Sequence, residues 1–218
     1  MPISHPLKAI FVHIPKTGGT SVEAALGMHG DKTDIGVTPY YNQSVDREHL
    51  YGQDLQHMTA GQLRHFLDDA AIFEQYFKFA IVRNPWERIV STFAWANQKW
   101  ARGIKLARDE FARSVREVYT AVRRSPDAAQ ALLASPHLRP QLFYLVDGSK
   151  RLLVDYVARH ETLGSDWERI CACLGISRAL PERMKSHHSA YRDYYDDETR
   201  GMVAELYAED AQFFSYEF

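Results

Sequence analysis

Two consecutive glycines, placed between an apolar segment and a helical pattern, constrain the fold of this chain more than any other feature of its sequence. The segment Pro15–Ser21 reads PKTGGTS. It follows Leu7–Ile14, a mostly apolar run rich in β-branched and aromatic residues, which is typical of a buried parallel strand. The apolar spacing of Val22, Ala25 and Leu26 predicts a helix that opens directly from the glycine turn. A strand, a turn and a helix in this order indicate an α/β unit.

The rest of the chain repeats this alternation of strands and helices. Phe77–Val82 and Arg151–Val157 are predicted as the second and third strands, and the polar segment Asp31–Asp54 as a long loop. We therefore expect one domain over residues 1–218, of the α/β class, with a P-loop-like, mostly parallel central β-sheet flanked by helices. In such sheets, ligands bind beyond the carboxyl ends of the strands.

Helix ends are predicted from capping residues and apolar spacing. The predicted starts are the capping boxes of Thr59 with Gln62 and of Ser165 with Glu168, the pair Asn84 and Pro85, and a last helix near Asp196-Asp197-Glu198. The helix that follows Ser165 is predicted to stop at Gly175. Two buried stripes are expected, one at Trp86, Ile89, Val90 and Phe93 and the other at Phe111, Val115, Val118 and Val122.

Composition and charge exclude several classes of partner. The chain has 218 residues and a formal net charge of −2, so no overall basic field would recruit nucleic acid or an anionic membrane. Cys171 and Cys173 lie two residues apart in a predicted helix, which predicts no disulfide between them and favours a reducing compartment. No segment approaches ~20 apolar residues and Met1–Lys8 has no apolar leader, so we expect no membrane span and a cytoplasmic location. Oligomeric state is left open.

The residue types around the glycines point to an anion site. Gly18 and Gly19 allow a tight turn and a close backbone approach, and the following helix start presents amide groups and a positive dipole end. Lys16 adds a charge, and Thr17, Thr20 and Ser21 add hydroxyl donors. In a Walker A loop the lysine comes after the glycines, whereas Lys16 precedes them. No strand-end aspartate or metal-ligand motif accompanies the loop, so we expect no metal ion at the site. The alternative to an anion site is a plain helix entry with a surface lysine.

At this point the sequence resembles the sulfotransferases that use 3′-phosphoadenosine 5′-phosphosulfate (PAPS), in the form found in the carbohydrate-acting branch. The resemblance is carried by Pro15–Ser21, and it implies that Lys16 contacts the 5′-phosphate and the bridging oxygen to sulfur. Arg83, at a strand-to-helix junction, and Ser91, eight residues later, resemble the 3′-phosphate motif of the same family. The implied activity is sulfuryl transfer to a hydroxyl acceptor, with 3′,5′-adenosine bisphosphate (PAP) as the product.

The resemblance extends more loosely to the rest of the chain and implies a catalytic base. Histidine titrates near neutral pH and suits this role. His57, in a loop between the two phosphate motifs, is our candidate, and His13 is the alternative; either can also be a structural histidine. The stretch Ser186–Tyr195 is expected to close over the nucleotide, with Tyr191 or Arg192 near the adenosine, unless it is an ordinary loop.

The charge pattern gives one indication of the acceptor. Lys99–Arg124 has eight basic and three acidic residues, a net charge of +5, and the last 26 residues, from Asp193, have eight acidic residues and one arginine, a net charge of −7. The basic stretch could hold an anionic glycan, with stacking on Trp95, Trp100 or Tyr119, or it could be a solvated helix face. The resemblance to the carbohydrate-acting branch implies a carbohydrate or another small glycan-like acceptor.

Two other functions remain as alternatives at this point. A phosphotransferase that uses ATP and magnesium is disfavoured by the order of lysine and glycines in the loop. A non-catalytic nucleotide-binding protein on the same scaffold would keep both phosphate motifs and lack the base.

Overall fold

The computed structural model describes residues 3–28, 55–67, 69–96, 106–181 and 189–218. The chain divides into two compact units, a first unit of Met1–Val82 with Phe143–Met184 and a second unit of Arg83–Leu142 with Lys185–Phe218. The expectation of one domain over residues 1–218 stays a prediction. The predicted loop Asp31–Asp54 lies outside the described residues.

The first unit contains a four-stranded sheet with the order β1-β2-β3-β4, in which β1 (Ile3–Ser4) pairs antiparallel with β2 (Ala9–Val12). The other pairs, β2 with β3 (Phe77–Val82) and β3 with β4 (Tyr156–Arg159), are parallel. The register places Phe11 opposite Phe79, and Phe79 opposite Tyr156. The mostly parallel α/β sheet is therefore confirmed, and β3 has the predicted bounds.

The third predicted strand is wrong in its position. Arg151–Val157 was expected, whereas β4 begins at Tyr156. The apolar residues before it pair locally, since the amide of Leu153 donates to the carbonyl of Leu145 at 2.8 Å. Asp155 then ties the chain to β3, because its carboxylate accepts from the amide of Lys78 at 2.7 Å and pairs with the Lys78 ammonium at 3.0 Å.

Nine helices lie within the described residues. They are α1 (Gly19–Leu26), α2 (Ala60–Phe66), α3 (Ala70–Gln75), α4 (Pro85–Ala96), α5 (Arg108–Arg124), α6 (Ala128–Leu133), α7 (Leu163–Leu174), α8 (Asp197–Leu206) and α9 (Ala208–Phe213). The first unit contains α1–α3 and α7, and the second contains α4–α6, α8 and α9.

The core of the first unit lies between the sheet and helices α1 and α7. The rings of Phe11 and Phe79 stack across β2 and β3 with centroids 5.1 Å apart. Val22 of α1 and Trp167 and Ile170 of α7 are buried in the same cluster. Both central strands are buried along nearly their whole length, as expected for parallel strands that are covered on both faces.

The core of the second unit confirms both predicted helical stripes. Buried side chains from α4, α5 and α8 form one cluster that includes Trp86, Ile89, Val90, Phe111, Val115, Val122 and Val203. Phe93 and Val118 are partly buried against it.

Most predicted helix ends are confirmed. Thr59 and Gln62 form both bonds of a capping box at α2, and the side chain of Asn84 accepts from the amide of Trp86 at the start of α4. Asp196 caps α8, which is followed by α9 and so is not the last helix. The capping box predicted at Ser165 is wrong, because α7 begins earlier, at Leu163, and the Ser165 hydroxyl donates to the carbonyl of Thr162.

Two further sequence expectations concern α7 and the membrane. Gly175 ends α7 in the left-handed conformation, as predicted, and both cysteines of the helix are free thiols, one buried and one exposed. Among the described residues, no helix combines the length and the apolar character that crossing a membrane requires.

Candidate active site

The loop between β2 and α1 contains two residues in the left-handed backbone conformation. Lys16 has a φ of 67°, and Gly18, the N-cap of α1, has a φ of 91°. Between them the buried Thr17 hydroxyl donates to the carbonyl of Ile14 at 2.9 Å. Glycine adopts this conformation without penalty, whereas lysine pays roughly 1–2 kcal/mol. A strained lysine held by its neighbours is typical of a ligand-binding turn.

The same loop leads into the positive end of α1. The cap residue is a glycine and contributes no side chain, while the amide of Ser21 donates to the carbonyl of Gly18 at 3.1 Å. The first amides of a helix have no acceptor within that helix, and together with the dipole they favour an anion. Thr20 is partly exposed and Ser21 is buried in this first turn. The loop therefore has the backbone and side chains of a phosphate cradle.

His13 packs directly against the first residue of α1. A β-carbon placed on Gly19 would lie 2.3 Å from both Cδ2 and Nε2 of the His13 ring. The ring also stacks on Phe11, with centroids 5.3 Å apart, and meets the ring of His57 edge-on at 4.7 Å. Glycine is therefore required at position 19 by the close approach of an immobilised imidazole.

Replacing Gly19 by alanine is expected to destabilise the protein by roughly 1–3 kcal/mol, because the added methyl group collides with His13. Urea unfolding measures the change. Gly164→Ala in α7 is the matched control, since a β-carbon there meets nothing within 4 Å. It is expected to be neutral or stabilising by about 0.4–1 kcal/mol. Equal stability of Gly19→Ala and the wild type would mean that His13 can move aside freely.

His13 belongs to a buried cluster of polar side chains. Its Nδ1 lies 2.7 Å from Oε1 of the buried Glu23, whose other oxygen accepts from the side-chain amide of Gln56 at 2.8 Å. Because a carboxylate oxygen accepts the hydrogen bond, the network assigns the proton of His13 to Nδ1. Glu23 was not predicted as a site residue; its position one turn after Gly19 was the signal available in the sequence.

His57 is oriented by the backbone of His13. Nδ1 of His57 lies 2.8 Å from the carbonyl oxygen of His13, and both side chains are buried. A carbonyl can only accept, so Nδ1 carries the proton and Nε2 is the basic nitrogen of the neutral ring. The two histidines that the sequence singled out therefore lie together, next to the first turn of α1.

Arg83 comes directly after β3 in the chain and is fixed through its backbone. The side chain of Gln141 accepts from the amide of Arg83 and donates to its carbonyl, each at 2.8 Å. The buried guanidinium pairs with Glu87 at 2.9 Å. Ser91 is buried on α4, at the predicted spacing from Arg83. Both residues of the predicted 3′-phosphate motif thus lie at the start of the second unit.

A buried carboxylate holds Gln141 in turn. Asp210 accepts from the amides of Gln141 and Leu142 at 2.7 and 2.8 Å, and it is fully buried. Burial raises the pKa of this carboxyl above its ordinary value, although the positive charge of Arg88 and the two amides lower it. Arg88 of α4 is completely buried and donates to the carbonyl of Arg139 at 2.8 Å.

Comparison with protein-family models matches residues 2–217 to the family described as Sulfotransferase family. The chain belongs to the sulfotransferase family. Comparisons with curated proteins and with solved structures found no match. The resemblance seen in Pro15–Ser21 and in Arg83 with Ser91 is therefore part of a match over nearly the whole chain.

In this sulfotransferase, the two residues predicted near the adenosine lie in an aromatic cluster of the second unit. The guanidinium of Arg192 lies over the rings of Tyr191 and Phe218, at 4.9 and 5.6 Å from their centroids. The ring of Phe218 also meets Trp86 edge-on. Part of the stretch Ser186–Tyr195, residues 186–188, lies outside the described residues.

The basic stretch of the sulfotransferase is partly neutralised by its acidic C-terminal segment. Arg116 of α5 pairs with Asp196 and Glu198 at 2.9 and 2.6 Å, and Arg123 pairs with Glu205 at 3.1 Å. The hydroxyl of Tyr119 also donates to Glu205. Trp95 is partly exposed and stacks on His137, while Trp100 and residues 99–105 lie outside the described residues. Two of the eight basic side chains, Arg116 and Arg123, therefore pair with acids of α8 or its cap.

Proposed function

We propose that this sulfotransferase moves the sulfuryl group of PAPS to a hydroxyl of a carbohydrate or another small glycan-like molecule, and releases PAP. The observation that carries the proposal is the loop before α1, where a left-handed Lys16 and a left-handed Gly18 lead into the amino end of the helix. PAPS supplies the activated sulfuryl group. The residues of the chain supply binding, orientation and proton transfer.

The 5′ side of the donor is assigned to the loop. Thr17, Gly18, Gly19, Thr20 and Ser21 surround the anion, and Lys16 contacts the 5′-phosphate and the bridging oxygen, as the resemblance to the family implies. During transfer the bond between sulfur and that oxygen breaks, and its electron pair stays on the leaving phosphate. A lysine charge at this oxygen stabilises the transition state more than the ground state, which is the requirement for catalysis.

The 3′ side of the donor is assigned to Arg83 and Ser91. A guanidinium grips a phosphate through two parallel hydrogen bonds, and a hydroxyl adds a third donor. Hydrogen bonds with Gln141 already order the backbone of Arg83. Binding of the donor therefore costs less conformational entropy at this residue. Tyr191 and Arg192 are assigned to the adenosine.

His57 is proposed as the general base, and His13 is the alternative. The acceptor hydroxyl gives its proton to Nε2 of His57 while its oxygen forms the new bond to sulfur. The hydrogen bond from Nδ1 to the carbonyl of His13 favours the tautomer that this step needs. No metal is assigned, because Lys16 and Arg83 supply the positive charge.

The donor assignment predicts that PAP stabilises the protein against heat, and that ATP with magnesium does not. A ligand at about 100 times its dissociation constant adds about 2.7 kcal/mol. For a chain of this size, that corresponds to a rise in Tm of roughly 5–11 °C. Arg83→Ala is expected to abolish the rise, and Arg83→Lys to reduce it, because an ammonium cannot form the paired hydrogen bonds.

Arg123→Ala is the matched control for this experiment, since its exposed side chain pairs with Glu205 at the surface, and it should keep the full rise. A rise with ATP and magnesium alone would replace the proposal with phosphoryl transfer. A rise with PAP, but no transfer to any member of a broad panel of hydroxyl acceptors, would favour a non-catalytic nucleotide-binding protein.

A further inference from the structure

The proposed mechanism gives no role to Glu23, although it is one of the most deeply buried charged groups of the first unit. Only 3% of its surface is exposed. It lies on α1, four residues after Gly19 and so about 6 Å further along the helix axis. A carboxylate in this position opposes the binding of an anion at the start of the same helix. Because this buried charge weakens anion binding at the site, we expect it to have another function.

Each oxygen of Glu23 has a separate partner. Oε1 holds Nδ1 of His13 at 2.7 Å, and Oε2 accepts from Gln56 at 2.8 Å. Gln56 directly precedes His57, so Glu23 contacts both the residue before the base and the residue whose carbonyl orients the base. The side chain of one glutamate thereby joins the two chain segments that carry the histidines.

We propose that Glu23 is a positioning residue for the base, an inference that rests on the proposed function. Glu23 fixes the His13 ring in the tautomer with the proton on Nδ1, and it fixes the turn before His57 through Gln56. The His13 carbonyl then holds His57 with its proton on Nδ1, so that Nε2 is the nitrogen presented as the base. This arrangement follows the principle by which a carboxylate orients a catalytic imidazole without reacting itself.

The proposal predicts that the loss of Glu23 lowers turnover without weakening the binding of PAP. Removing the charge of Glu23 takes a negative charge away from the helix that binds the donor, so the affinity for PAP should stay within about twofold or become tighter. Turnover should fall by roughly tenfold or more, because a misoriented base loses part of the rate acceleration of about 10²- to 10⁴-fold that general-base catalysis contributes. A purely structural role would instead weaken binding and turnover together.

The experiment compares Glu23→Gln and Glu23→Ala with the wild type and with Asp166→Asn. Asp166 is a second buried carboxylate of the first unit, and within the described residues it bonds to Tyr156 and Thr162 and to neither of the two histidines. PAP affinity is measured by calorimetry, and turnover as PAP released with the best acceptor of a hydroxyl panel. The ring tautomers are read from ¹⁵N-labelled histidine by NMR, with the signals assigned through His13→Gln and His57→Gln.

In the wild type, the ¹⁵N signals of His57 should indicate the tautomer with the proton on Nδ1. In Glu23→Ala, they should no longer indicate this tautomer alone. Asp166→Asn should leave the tautomer and kcat unchanged. An unchanged His57 tautomer in Glu23→Ala, or equal losses of PAP affinity and turnover, would overturn the positioning role. If the wild type fails to bind PAP, the proposed function is wrong, and the NMR comparison still decides whether Glu23 orients His57.

Discussion

Replacing His57 by glutamine is expected to lower turnover by roughly 10²- to 10⁴-fold while PAP affinity stays within about threefold of the wild-type value. Glutamine can still donate a hydrogen bond to the carbonyl of His13, the bond that Nδ1 of His57 makes at 2.8 Å. It cannot accept the proton of the acceptor hydroxyl. The substitution therefore removes the chemistry and keeps the packing, which separates a catalytic effect from loss of the fold.

The measurement is PAP release with a hydroxyl acceptor, alongside PAP binding by calorimetry. His65→Gln is the control, since His65 is an exposed histidine on α2, and it should leave both quantities unchanged. If His57→Gln keeps wild-type turnover while His13→Gln loses it, the base is His13. If neither substitution reduces turnover, a histidine base in this cluster is ruled out.

The fold was predictable from the sequence where local patterns determine the structure. Phe77–Val82 was predicted with the right bounds because a strand buried on both faces is a continuous apolar run. The third strand was misplaced because Leu152 and Leu153 are just as apolar, but pair locally with residues 145–146. Apolar character predicts burial, and it does not identify the partner strand.

The candidate site also has one part that local sequence motifs predict and another part that they do not. The loop residues around Lys16, and Arg83 with Ser91, are neighbours in the sequence and form recognisable motifs. Their supports are distant, because the side chain that holds the Arg83 backbone is 58 residues away, and the carboxylate that holds Gln141 is a further 69 residues along the chain. A single sequence contains no periodicity that marks such pairs.

Net charges of two segments do not show which side chains pair within the chain. The basic stretch and the acidic C-terminal segment are far apart in the sequence, and the basic stretch alone fits either an anionic glycan or a solvated helix face. In the structure, Arg116 and Arg123 of α5 pair with acids of α8 or its cap. Opposite net charges in two segments of one chain are therefore first to be considered as partners of each other.

Replacing Asp210 by alanine is expected to destabilise the protein by about 3–5 kcal/mol, because two buried amides that are left without an acceptor cost roughly 1–3 kcal/mol each. These amides belong to Gln141 and Leu142, which are buried together with Asp210. For a chain of this size the loss corresponds to a fall in Tm of about 6–20 °C. Asp197→Ala, at a side chain that is 94% exposed, is the control and should change stability by less than about 0.5 kcal/mol.

The pH dependence of the stability distinguishes the effect of the Asp210 carboxyl group from the effect of its side-chain volume. Burial raises its pKa in the native state, so the native protein binds this proton more readily than the unfolded chain does. The stability that the proton contributes is present below the ordinary carboxyl pKa and is lost as the pH rises through the raised one. The stability gap between wild type and Asp210→Ala should therefore be wider at pH 4 than at pH 7, as urea unfolding at both values would show. A gap that widens towards pH 7 would mean that attraction to Arg88 outweighs burial. In either case, release of Gln141 should loosen the backbone of Arg83 and weaken PAP binding by more than the unfolded fraction accounts for.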